Sequence, residues 1–149
     1  ENSDLIYFVE DDYLHFENSL TDMINTYERV SSQIEKDIII CPCDYPFNYM
    51  SNEKTNILIG SNQHWRTIQK ILCTFMISKE MLEKYWDNLI KTCEKRHDPF
   101  EKYINEILLN EIGISPINTL SIHLTNVNSS YGLSPFVDIK KLWDENNTS

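Results

Sequence analysis

The sequence predicts an α/β fold with a mixed, mostly parallel sheet that is flanked by helices. Short apolar runs rich in β-branched and aromatic residues recur along the chain, which is typical of strands buried in a sheet. Between the first two runs, residues 19–34 carry apolar side chains at the spacing of an amphipathic helix. Strand, helix and strand in this order make a βαβ unit, whose strands usually run parallel.

Size and charge narrow the class of protein. The chain has 149 residues, 41% of them hydrophobic, which is enough for a single core. Its net charge of −10 makes a nucleic-acid backbone an unfavourable general partner. The sequence contains no apolar run of the roughly 20 residues that a membrane span needs. Its four cysteines lack zinc-site spacing, so we expect reduced thiols in a cytoplasmic protein.

The first strand, Leu5–Val9, is apolar throughout and should be buried on both faces. It stops at three carboxylates, Glu10, Asp11 and Asp12, which would lie at the carboxyl edge of the sheet, where α/β folds bind ligands. Adjacent carboxylates repel one another unless a cation or solvent neutralises them. Alternation along an extended chain would aim Glu10 and Asp12 the same way, and such oxygen ligands suit Mg²⁺ or Mn²⁺. A solvated acidic turn is the alternative.

A second strand is expected at residues 37–41, followed by a loop at residues 42–49 in which two prolines exclude helix and central strand. The loop carries Asp44 among aromatic residues, and loops at this edge often form binding surfaces. A rigid turn with its aromatic side chains packed inward is the alternative.

Two further strands are expected at residues 55–60 and 71–77. The stretch between them contains His64, Trp65 and Arg66, which offer a stacking surface and a cation suited to a sugar ring or a phosphate. A hairpin with ordinary cross-strand pairs explains the same residues.

The rest of the chain should begin with two helices. Ser78 caps the first, which runs to about residue 95, and Asp98 caps the second, which ends at Gly113. A turn and a short strand carrying His123 follow, and residues 125–149 are expected to form an arm that wraps the domain.

Several stretches together resemble one known family. They occur in one order over nearly the whole chain: residues 7–15 (YFVEDDYLH), 44–46 (DYP) with Tyr49, 64–67 (HWRT), 74–76 (TFM), 97–98 (HD), 121–124 (SIHL), 134–138 (SPFVD) and Trp143. This set is similar to bacterial and viral glycosyltransferases of the GT-A fold, a Rossmann-like fold, which use nucleotide-sugar donors.

The resemblance implies a metal-dependent sugar transfer. Glu10, Asp11 and Asp12 match the acidic motif that holds Mn²⁺ or Mg²⁺ against the diphosphate of the donor, a UDP- or GDP-sugar. Glu10, Asp12 and His123 would be the metal ligands, since His123 matches a late histidine that completes the site. Arg66 would add charge stabilisation to the diphosphate.

The resemblance also implies an acceptor side, where the acceptor is a carbohydrate or glycan. Asp98 falls where a base for the acceptor hydroxyl would lie, which favours inversion. Asp44, Tyr45, His64 and Trp65 are the candidate acceptor-binding residues.

One departure from the family concerns the donor pocket. GT-A domains usually place a nucleotide-binding half before the acidic motif, so this chain resembles the carboxyl-terminal half, and we expect a missing amino-terminal half or a partner chain. Two other functions stay open: a non-catalytic carbohydrate-binding or assembly subunit, and a metal-dependent phosphoester hydrolase.

Overall fold

A computed structural model of the chain describes residues 4–94, 101–125 and 137–147. Within these ranges the fold is α/β, with a six-stranded sheet, a separate two-stranded ribbon and helices on the sheet faces. The strands are β1 (Leu5–Phe8), β2 (Tyr13–His15), β3 (Ile38–Ile40), β4 (Ile57–Ile59), β5 (His64–Ile68), β6 (Phe75–Ser78), β7 (Ile112–Pro116) and β8 (Ser121–His123). The helices are α1 (Ser19–Ile34), α2 (Lys79–Lys84), α3 (Trp86–Lys91), α4 (Glu101–Ile107) and α5 (Ile139–Asn147), with a 3₁₀ turn at Pro46–Tyr49.

The main sheet is mixed, as predicted, but it is mostly antiparallel rather than mostly parallel. Its strand order is β1-β6-β3-β7-β5-β4, and of the neighbouring pairs in the described sheet only β3 and β7 run parallel. The turn between β4 and β5 is too short for a parallel crossover, so these strands form a hairpin. Strands β1 and β3, joined by α1, do run in the same direction, but β6 lies between them.

Two apolar clusters lie on opposite faces of this sheet. Ile38 and Ile40 of β3 pack with Met23 and other residues of α1, whereas Ile39 packs with Ile104 of α4. This alternation follows from the two-residue period of a strand. The predicted helix at residues 19–34 is confirmed at both ends by α1.

Strand β1 lies at one edge of the sheet, so it is half-buried instead of buried on both faces. It pairs only with β6 among the strands described, and Val9 just beyond it is exposed. The prediction failed because an unbroken apolar run indicates burial but does not show how many neighbouring strands provide it.

The helical region also differs from the prediction. The helix expected from Ser78 to about residue 95 is divided into α2 and α3 at Tyr85, whose φ of −111° and ψ of 19° are not helical. Gly113 lies inside β7 instead of ending a helix. A Cβ at Gly113 would lie 2.6 Å from Leu108, so this glycine permits close packing of α4's end against the sheet.

Within the expected carboxyl-terminal arm, the described residues form α5. Leu142 of this helix is buried, and the Asn146 side chain donates a hydrogen bond to the carbonyl oxygen of His15 in β2. No helix in the described ranges is both long enough and apolar enough to cross a membrane.

Candidate functional site

One edge of the main sheet collects the polar residues singled out in the sequence. The carboxyl ends of β1, β3 and β7 and the amino ends of β5 and β6 meet there. The loop after β1 is tied to this edge because the Glu10 backbone N–H donates to Oγ1 of Thr74, just before β6 (3.0 Å). The edge is therefore built from segments that are distant in sequence, as ligand sites of α/β sheets commonly are.

The ribbon of β2 and β8 brings Asp12 and His123 into contact. Oδ2 of Asp12 lies 2.7 Å from Nε2 of His123, although 111 residues separate them. The backbone supports this contact, because Tyr13 pairs with His123 in the ribbon and the Leu124 N–H donates to the Asp12 carbonyl oxygen (2.9 Å). Oγ1 of Thr125 lies 3.2 Å from the same His123 nitrogen. The structure thus joins two of the three residues assigned to a metal by resemblance.

Glu10, the third assigned ligand, lies in the same electrostatic environment. Partial burial raises the pKa of its carboxyl, the charges of Asp12, Glu101 and Asp11 raise it further, and His123 lowers it. Like charges gathered around a half-buried carboxyl favour protonation or a bound cation. Asp11 and Asp12 form a turn instead of continuing an extended strand, so the predicted alternation of Glu10 and Asp12 does not apply.

The donor set suits a hard divalent ion in chemistry. Carboxylate oxygen and imidazole nitrogen are common ligands of Mn²⁺. To bind an ion, Asp12 and His123 would have to give up the hydrogen bond that now joins them. In the described part of the chain, no three His, Cys, Asp or Glu side chains already have the geometry of a metal site. Further ligands would have to come from a side chain that moves, from water or from a bound phosphate.

Two tyrosines support the imidazole. The ring of Tyr13 stacks on that of His123, with centroids 4.7 Å apart and planes 7° apart. The Tyr13 hydroxyl lies 2.6 Å from the hydroxyl of Tyr45, which is buried and stacks in turn on Phe47. Burial raises the pKa of both phenols, so both remain neutral donors and acceptors.

A second polar group lies in the loop after β3. Nη2 of Arg66 lies 3.3 Å from Oδ1 of Asp44, and both side chains are buried. The Tyr49 hydroxyl donates to the other oxygen of Asp44 and accepts from Nη2 of Arg66. Burial raises the pKa of Asp44, while the hydrogen bond from Tyr49 and the charge of Arg66 lower it. Arg66 is therefore paired with Asp44 on the loop side, and no contact joins it to Asp12 or His123 among those described.

The remaining acceptor candidates have different environments. Trp65 is fully buried in the cluster under α1, and its ring does not reach a surface that an acceptor could contact. Tyr45 is also buried, so its place is structural support rather than direct contact. His64 is exposed and pairs with Ile59 across the β4–β5 hairpin, which agrees with the alternative interpretation of this stretch as cross-strand pairs. Asp98, the candidate base, lies outside the described residues.

Sequence reasoning missed Tyr13 and the bridging role of Tyr49. Tyr13 directly follows the acidic triplet and begins β2, the strand that pairs with His123. A strand of three residues is too short to be recognised from the periodicity of its side chains. Tyr49 lies five residues after Asp44 in a turn, and no regular spacing links the two.

No known protein family, curated protein or solved structure matches this chain in sequence or fold comparisons.

Proposed function

We propose that this chain is a metal-dependent glycosyltransferase, or the catalytic carboxyl-terminal part of one, that moves a sugar from a UDP- or GDP-sugar to a carbohydrate hydroxyl. The observation that supports this most is the contact of Asp12 with His123 at the carboxyl edge of the sheet. The β2–β8 ribbon brings this carboxylate of the acidic motif and an imidazole 111 residues later to one point. A carboxylate and an imidazole together at this edge are a suitable start for a metal site.

Asp12 and His123 would hold Mn²⁺ or Mg²⁺, with Glu10 beside them as a further carboxylate. A bound divalent ion would neutralise the diphosphate as it leaves. Tyr13 holds the imidazole plane of His123 by stacking, and its bond to Tyr45 fixes Tyr13 in turn. This arrangement supports the proposal, because the stacked Tyr13 ring would keep the His123 imidazole in one plane before any ion binds.

The acceptor side would be built around the loop after β3. Asp44 and Arg66 lie at the same sheet edge as the acidic motif, and the Asp44 backbone N–H donates to Oγ1 of Thr119, two residues before β8 (3.1 Å). By resemblance, Asp98 is the base that would take the proton from the attacking hydroxyl.

The first experiment is a set of thermal melts of the 149-residue chain, alone, with MnCl₂, and with MnCl₂ plus UDP or GDP. Ligand at a hundred times its dissociation constant adds about 2.7 kcal/mol, a rise of several degrees in Tm for a domain of this size. We expect a nucleotide-dependent rise that needs the metal and disappears in Asp12→Asn and in His123→Ala. Asp87→Asn, which removes an exposed carboxylate on α3, is the matched control and should keep the rise.

The results separate the alternatives. A metal-dependent nucleotide shift justifies a donor screen in which release of UDP or GDP measures transfer. Release of sugar phosphate instead would identify a phosphoester hydrolase. Glycan binding with no response to any nucleotide and metal would contradict the transferase and favour a carbohydrate-binding subunit.

A further inference from the structure

The Tyr49 hydroxyl lies between a carboxylate and a guanidinium. It donates a hydrogen bond to Oδ2 of Asp44 and accepts one from Nη2 of Arg66. The Tyr49 ring also covers the guanidinium, whose Cζ lies 4.4 Å from the ring centroid. This acid and base therefore bind a neutral hydroxyl that donates to one of them and accepts from the other, which is the pattern that a sugar hydroxyl can reproduce.

The charged pair is buried at the sheet edge, whereas Tyr49 is exposed. The side chains of Asp44 and Arg66 are 5% and 10% exposed, and Arg66 lies on β5 between two neighbouring strands. Asp44 is held through its backbone bond to Thr119. Tyr49, by contrast, is 62% exposed and ends a four-residue 3₁₀ turn, so turning it away would break its two hydrogen bonds to the pair but no strand pairing.

The pair has hydrogen-bonding capacity to spare. Oδ1 of Asp44 and Nε of Arg66 are buried, and neither makes a hydrogen bond to the described residues, although Oδ1 lies 3.3 Å from Nη2 of Arg66 in the ion pair. Buried polar atoms almost always make a hydrogen bond, so this unused capacity on one ion pair calls for an explanation. A movement of the Tyr49 ring, which covers the guanidinium, would uncover the pair and leave donors and acceptors for two hydroxyls.

Apolar surface lies beside the pair. Ile57 is opposite Arg66 across the β4–β5 hairpin, and Ile57 and Ile59 lie on the same sheet face as Arg66; both isoleucines are exposed. Met50, next to Tyr49, is exposed as well. A pyranose ring presents hydroxyls along its rim and C–H groups on its faces, so it matches polar and apolar surfaces in this arrangement.

We propose that Asp44 and Arg66 form a saccharide-binding site for two neighbouring hydroxyls, and that the Tyr49 hydroxyl occupies the place of one of them in the free protein. An anion such as phosphate is disfavoured, because the Asp44 carboxylate lies 3.3 Å from the guanidinium nitrogen that would attract it. The inference rests on the proposed function for the expectation that the ligand is a saccharide, and it assigns these residues to the acceptor.

The test is an NMR titration of the ¹⁵N-labelled 149-residue chain without metal or nucleotide. The probes are methyl glycosides of mannose, glucose and galactose, and the signals are the Arg66 Nε–H and the Tyr49 ring. We expect at least one glycoside to shift both signals saturably. Tyr49→Phe should tighten that binding several-fold, because it removes the competing hydroxyl, and Asp44→Asn should weaken it about tenfold.

Three results would overturn the proposal. The first is that no glycoside shifts either signal. The second is that inorganic phosphate, and not a glycoside, shifts Arg66. The third is that Tyr49→Phe weakens binding as much as Asp44→Asn does, since Tyr49 would then be a ligand contact. Tyr49→Phe keeps the test available if Asp44→Asn unfolds, and the separate Mn²⁺ and nucleotide melts show whether the transferase proposal fails independently.

Discussion

The Tyr13 ring lies parallel to the His123 ring at 4.7 Å, and its hydroxyl is bound 2.6 Å away by Tyr45. One aromatic side chain therefore connects the imidazole at the acidic edge with the loop that carries Asp44. Because Tyr13 and Tyr45 are both buried, their shared hydrogen bond is shielded from water, and its loss leaves a hydroxyl that water cannot easily satisfy.

Removing both hydroxyls should destabilise the protein by less than the sum of the two single losses. Tyr13→Phe keeps the stack on His123 but leaves the Tyr45 hydroxyl, within the described part of the chain, with the weak thiol partners Cys41 and Cys43, at a cost of about 1–3 kcal/mol. Tyr45→Phe should cost a similar amount. The double variant should lose less than the sum, as urea unfolding at pH 7 would show. Strict additivity of the two losses would mean that the hydroxyls do not depend on one another.

His15 should make the protein less stable at mildly acidic pH. Its Nε2 lies 2.6 Å from the Tyr7 hydroxyl, and burial lowers its pKa below 6.5. The folded state therefore favours the neutral ring, so this contribution is fully present above pH 6.5 and is lost as the pH falls through 6.5 toward the folded-state pKa. The free energy of unfolding should fall from pH 7.5 to pH 5.5.

The comparison that isolates this effect is His15→Gln, which keeps an acceptor for Tyr7 and does not titrate. The fall in unfolding free energy between the two pH values should be smaller in this variant than in the parent chain. Equal falls in the two proteins would show that other groups account for the acid sensitivity.

Neutralising Glu10 should stabilise the free protein at neutral pH. Burial and the neighbouring carboxylates raise its pKa, so the folded state binds its proton more tightly than the unfolded state does. This contribution is greatest below the ordinary pKa of a glutamate and is lost as the pH rises through the folded-state value. Glu10→Gln should therefore raise the unfolding free energy at pH 7 by a few tenths of a kcal/mol, a small gain because the group is partly solvated.

The gain in unfolding free energy from Glu10→Gln should shrink at pH 4, where the Glu10 carboxyl of the parent chain is itself largely protonated. Urea unfolding of the parent and the variant at pH 7 and at pH 4 measures the gain at each pH. Glu83→Gln on the exposed face of α2 is the control for a change of net charge alone. An equal gain in unfolding free energy from Glu83→Gln would show that the effect comes from the overall charge of −10 and not from the carboxylates around Glu10.

The sequence predicted the position of helix α1 better than it predicted which strands lie side by side in the sheet. Helix α1 was predicted at both ends because its apolar residues follow one period for four turns. The same reasoning could not tell that β1 is an edge strand or that β6 separates it from β3, because strand order depends on contacts between distant segments. Residue type alone also did not show that the Trp65 ring is buried.

At the candidate site, too, local features were predicted and contacts between distant segments were not. Carboxylates after the first strand were visible in the sequence, but the partner of Asp12 lies 111 residues away and only the family resemblance suggested it. The pairing of Arg66 with Asp44 was missed because the sequence gives no distance between a loop and a strand 22 residues apart. Pairs of this kind are decided by how loops fold over the sheet edge.

Gly60 should be far less tolerant of substitution than Gly113, because of what each faces. A Cβ at Gly60 would lie 2.3 Å from the Trp65 indole and 2.9 Å from Oγ1 of Thr26, and the fully buried indole has no room to retreat. At Gly113 the nearest atom, at 2.6 Å, is a terminal methyl of Leu108, which can change rotamer. Overpacking a core usually costs about 1–3 kcal/mol, so Gly60→Ala should lie near the top of that range and Gly113→Ala near the bottom. Unfolding in urea measures the loss of unfolding free energy in each variant. A larger loss in Gly113→Ala than in Gly60→Ala would mean that the packing around β7 adjusts less easily than the packing around the Trp65 indole.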